Sequence, residues 1–273
     1  MVGLLDHPAV QGGVAPLVIA LIVALAFART RFAWLAIAAG YATMVALSTG
    51  FAFSPLTVAR KTVLVGLLAP LVGIAIDLMS RPSRAIASVL AIIAGAATIW
   101  VFMSILQQRE AAKALAIGGG IAVFVAALVA SMLRLRDDGL RCGAAGLGLG
   151  LATGIAGVLS ASVGYLVAGV AIAAGAGALL LVQVILSRKL APGVVGALTI
   201  GFLTALFATG TLLLAELPWY ALPLLLLIPA AVTLPAAERG PPIVRAAMLA
   251  AYALVAAAPP ILAAWYAARG SLT

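Results

Sequence analysis

Apolar runs of roughly 17 to 25 residues, the length an α-helix needs to cross a bilayer, recur along the whole chain between short charged or proline-containing clusters. Reading the windows between clusters predicts ten spans. The first runs from Ala9 to Ala28 and stops at Arg29-Thr30-Arg31. The second runs from Phe32 to Phe53 and ends in Ser54-Pro55, where proline cannot continue the backbone ladder. Arg60-Lys61 opens the third, which ends near Ser80. The fourth covers Ala85 to Leu106 and the fifth Ala114 to Met132. A polar connector follows, holding Arg134, Arg136, Asp137, Asp138 and Arg141.

From Gly143 to Ser187 there is no charge. At 1.5 Å per residue one helix of that length would measure roughly 65 Å, about twice a bilayer core. Two helices with a turn near residues 160–164 are therefore expected, and Arg188-Lys189 close the seventh span. The eighth runs from Gly193 to Ala215, the ninth from Tyr220 to Ala237 and the tenth from Arg245 to Ala268. Ala26-Phe27-Ala28 resembles a signal cleavage site, but Asp6 and His7 stand where a signal would carry positive charge, so the first span is read as retained.

Composition turns this pattern into a fold class. Only 8% of the 273 residues are charged and 66% are hydrophobic; a soluble domain carries about 25% charged residues. The chain is an all-α, polytopic membrane helix bundle of about ten transmembrane helices, with membrane lipid as its solvent. It forms one transmembrane domain over residues 1–273. Ten spans divide into halves 1–136 and 137–273, and five per half would invert one half relative to the other. The Ala- and Gly-rich composition fits a bacterial inner-membrane protein from a GC-rich genome.

Charge then orients it. With both termini on the outer, periplasmic side, cytoplasmic connectors hold eleven cations: Arg29, Arg31, Arg81, Arg84, Arg134, Arg136, Arg141, Arg188, Lys189, Arg239 and Arg245. The outer side holds five: Arg60, Lys61, Arg109, Lys113 and Arg269. Cations stay on the cytoplasmic side, which favours this arrangement. The formal charge of +9 thus belongs to helix ends and lipid headgroups. No basic run points to nucleic acid.

Candidate chemistry is sparse. The single histidine, His7, lies outside the first span, so a mid-membrane Ser–His pair, a His-based zinc site and bis-histidine haem ligation are all excluded. Cys142 is the one cysteine, which excludes an intrachain disulfide. Asp137 and Asp138 sit among arginines and read as a self-neutralising loop. An enzyme, a metal and a cofactor are therefore not expected.

Transport needs less. Proton or sodium coupling uses an intramembrane carboxylate, and Asp77 and Glu216 come nearest. Asp77 lies seven residues after Pro70 and one turn before Arg81, where an interfacial pair is the plainer reading. Gln183 reads as an interhelical hydrogen-bond donor. Gly146, Gly150 and Gly154 place a glycine stripe on the sixth helix for close packing. Pro70, Pro259 and Pro260 are hinge candidates, and the Pro259-Pro260 pair should make the sharpest break. Thr153, Ser160, Ser162, Thr199, Thr204 and Thr209 are candidate pathway lining. These features favour a permease for a neutral or amphipathic substrate. The alternative is a non-catalytic subunit or scaffold packed against other membrane subunits.

Overall fold

The computed structural model describes residues 7–51, 54–79, 83–215, 217–236 and 241–270. Among them every regular element is helical. Seven helices are long and apolar enough to cross a membrane: α3 (Val58–Met79), α4 (Arg84–Leu106), α5 (Ala111–Leu133), α6 (Gly139–Leu159), α7 (Val163–Leu186), α8 (Gly193–Leu214) and α10 (Pro242–Gly270). Three shorter apolar helices complete the order: α1 (Val10–Ala26), α2 (Phe32–Ser48) and α9 (Ala221–Ala231). The uncharged stretch turns at residues 160–162, between α6 and α7.

The bundle is built around α6, α7 and α8. Their most apolar windows are 72%, 61% and 83% buried, against 28% for α10. A helix that is apolar all round must be covered all round, and α8 is. It touches α3 and α5 most extensively, with α6 and α7 behind. Helices α1 and α2 pack on α7, α4 packs on α5, and α10 lies along α6.

In lipid the hydrophobic effect does not drive helices together, so close packing has to. The α6–α7 contact, the largest in the molecule, shows how. A methyl added to Gly150 would sit 2.6 Å from the Ala173 nitrogen, and one on Gly169 would sit 2.5 Å from the Gly154 nitrogen. Gly154 meets Gly169 and the Leu166 carbonyl, while Gly146 meets Ala176 and Ile200. The two backbones therefore touch directly.

Side-chain contacts fix the direction of each helix. Connectors α1–α2, α5–α6 and α7–α8 gather at one end of the bundle with the end of α3 and the start of α10, tied by contacts such as Trp34 to Leu190, Asp77 to Val194 and Arg245 to Asp138. The opposite end collects Gln11 with Leu47, Lys61 with Trp100, and Ala156 with Leu217 and Ala264. Arg29, Arg84, Arg134, Arg136, Arg141, Arg188, Lys189 and Arg245 mark the first, cation-rich end. The second is called the far end below.

Proline acts differently in the last two helices. The expected break at Pro259-Pro260 is corrected: α10 runs through both as one helix. A stripe of Ala246, Leu249, Ala253, Ala257 and Ala264 is buried, and Ala253 meets Gly148 of α6, so packing holds α10 continuous. The break falls in α9. Pro223, Pro229 and Pro235 each remove a donor from a neighbouring turn, and helix survives only over Ala221–Leu224 and Leu227–Ala231. Between them the backbone closes tighter bonds, including Leu225 N–H to the Leu222 carbonyl and Ile228 N–H to the Leu225 carbonyl.

Candidate functional site

A cavity of about 470 Å³ opens at the far end between α1, α2, α3, α7 and α8. Aromatic rings form its inner wall. Tyr41 and Tyr165 each meet Phe207 edge-on, with centroids 5.9 and 6.2 Å apart, the arrangement that ring quadrupoles prefer. Hydroxyl and amide groups of Gln11, Ser48, Thr49, Thr62 and Ser162 stand nearer the mouth. Several donors there are already bound: Gln11 to the Leu47 carbonyl at 3.0 Å, Ser48 to Met44 at 2.7 Å and Thr62 to Val58 at 2.9 Å. Their oxygens remain able to accept. Among the described residues no charged side chain lines this cavity.

Tyr41 is the exception among the donors. It is 1% exposed, and its hydroxyl has no hydrogen-bond partner among the described residues. An unpaired buried hydroxyl costs about 1–3 kcal/mol. The ring lies so close to α3 that a methyl on Gly66 would sit 2.8 Å from the hydroxyl oxygen. Pro70, buried in α3, lacks the N–H that would bond the Gly66 carbonyl four residues back.

The same helices are fastened at the cation-rich end. The Asp77 carboxylate of α3 accepts from Val194 N–H and Val195 N–H of α8, both at 3.0 Å. It thereby caps two of the four donors that a helix start leaves open, at the end whose dipole favours an anion. Gly193 makes room: it adopts φ +63°, and a Cβ there would collide with the Asp77 carboxylate. Beside it, Trp34 at the start of α2 is buried and donates its indole N–H to the Leu190 carbonyl at 3.0 Å. Gly196 receives the indole ring, which would stand 2.5 Å from any Cβ there.

A second fastening joins α6 to α10. Asp138 caps α6 at Arg141 N–H (3.2 Å) and pairs with Arg141 at 3.3 Å and Arg245 at 2.6 Å. Arg141 also donates to the Thr233 carbonyl at 2.9 Å. Asp137 lies 3.7 Å from Arg136.

The sequence candidates scatter. Asp77 is in the fastening rather than the cavity. Glu216 and Arg81 lie outside the described residues. Gln183 is corrected: it is buried and donates to the Leu179 carbonyl of its own helix at 3.3 Å, not across helices. Of the six hydroxyl residues read as pathway lining, only Ser162 reaches the cavity. Thr199 bonds Val195 of its own turn, while Thr153, Thr204 and Thr209 are buried without a hydroxyl partner in the crowded α6 and α8 interior. Sequence reasoning passed over Tyr41, Tyr165 and Phe207. Polar-tipped Tyr41, ten residues into an apolar span, was the available signal. Among the described residues no group of three His, Cys, Asp or Glu side chains could hold a metal. No protein-family model, curated protein or solved structure matches this chain.

Proposed function

We propose that the chain is a non-enzymatic, multi-pass permease of a bacterial inner membrane, taking a neutral or amphipathic solute into the tyrosine-lined cavity. One observation carries this reading. Helices α2, α3, α7 and α8 surround an uncharged, hydroxyl-bearing cavity at the far end, and at the cation-rich end Asp77 and Trp34 bolt those helices together. A cavity open at one end and sealed at the other is what alternating access requires. Asp77, the candidate coupling residue, lies in that seal, accepting from α8.

In the membrane, we read ten crossings, with α9 a bent and partly helical one. Cations favour the cytoplasm, so the cation-rich end faces inward and both termini lie outside. The five-plus-five arrangement draws support from hairpins α1–α2 and α6–α7, from α4–α5 and α9–α10, and from α3 lying on α8. The long α6–α10 contact has no comparable α1–α5 counterpart.

Purified protein in liposomes tests the reading against a panel of neutral aromatic and small polar solutes. The expected result is saturable uptake of one of them, lost in Gly164→Trp, which plugs the cavity mouth. Absence of flux for the whole panel, with extraction as a stoichiometric complex, would instead establish the subunit reading.

A further inference from the structure

A hollow of about 750 Å³ lies at the far end between α5, the end of α8, and α9. It arises because both walls are cut back. Broken α9 does not close along α5, and Gly120 on the α5 wall has no neighbour within 4 Å of where a Cβ would stand. Phe124, Leu213, Leu222 and Leu226 supply the walls. Arg109 stands at the rim with Trp219, which is 73% exposed.

We propose that this groove binds one acyl chain of an anionic phospholipid, with the headgroup phosphate on the Arg109 guanidinium. Its length is the first argument. The α5 wall runs from Ala116 to Ala127, about 17 Å at 1.5 Å per residue, close to half of a roughly 30 Å bilayer core. That is one leaflet deep, the reach of an acyl chain; a partner helix would use the whole thickness. Charge is the second. Of the five cations at this end, Lys61 lies over Trp100, Arg269 over Trp265, Lys113 pairs with Glu110, and Arg60 donates to the Pro55 carbonyl. Arg109 has no such partner among the described residues. An arginine fork suits a phosphate, and an aromatic neighbour at the rim marks headgroup depth.

Native mass spectrometry of the delipidated full chain, titrated with phosphatidylglycerol or phosphatidylcholine, tests this. The wild type should retain one lipid and prefer phosphatidylglycerol about five-fold, the worth of one cation against an anionic headgroup. Arg109→Gln should keep one lipid and lose the preference. Gly120→Leu and Gly120→Trp should each lose the bound lipid while melting as the wild type does. Equal binding of the two lipids by the wild type would overturn the headgroup assignment. Undiminished lipid in both Gly120 variants would overturn the groove assignment, as would a dimer that those variants dissociate.

Discussion

The two ends of this bundle are held in opposite ways. At the cation-rich end, backbone donors and carbonyls of one helix are met by side chains from another: Asp77 on α8, Trp34 on the α7–α8 connector, Asp138 and Arg245 between α6 and α10. At the far end Gln11 is linked across helices to the Leu47 carbonyl, but Ser48, Thr49 and Thr62 bond their own turns, and two cavities open between helices. A hydrogen bond across helices fixes one helix against another; a bond within a turn fixes nothing beyond it. The first end therefore carries more cross-helix hydrogen bonds than the second and acts as the joint.

Removing the joint should cost most. Asp77→Ala strips α8 of two charge-assisted bonds and should destabilise by about 3 kcal/mol. Cys142, the sole cysteine and fully buried, permits the measurement: a thiol-reactive dye reports unfolding, and melting should fall well below the wild type. A variant melting like the wild type would show that the joint does not hold the helices. Asp138→Ala should cost less, about 1–2 kcal/mol for a lost cap, its ion pairs adding little because the carboxylate is one-third exposed. Trp34→Phe keeps most of the ring and loses one neutral hydrogen bond, so about 1 kcal/mol is expected.

The far end should respond weakly or with the opposite sign. Tyr41→Phe deletes a hydroxyl that bonds nothing, so stability should hold or rise slightly, while uptake in liposomes should weaken. Gly164→Ala, where a methyl meets nothing within 4 Å, lies in the first turn of α7 and should leave stability unchanged or slightly raised. A large loss of stability in either variant would erase the contrast between the ends.

Much of the architecture is legible in sequence, and the reason is local. Apolar runs and the clusters between them act over a few turns, so Arg188-Lys189 can end a helix without knowledge of its neighbours. The site is another matter. Asp77 and its partners on α8 are more than a hundred residues apart, and nothing near Asp77 announces that α8 will start beside it. The prolines show the same limit. Whether a proline breaks its helix depends on what packs against it: α6 packs along α10, which stays continuous through Pro259-Pro260, whereas α9 holds two prolines, with Pro235 just beyond it, and has no comparable support. The hydroxyls were judged by type alone, and the interior took Thr153, Thr204 and Thr209 while the cavity took Tyr41.

Where Gly150, Gly154 and Gly169 meet, no side chain stands between α6 and α7 to turn, bend or find a second resting place. The pair must travel as a single rod. On the permease reading we propose, a stroke that exposes the cavity to the opposite compartment would carry neighbouring helices across that rod rather than part α6 from α7.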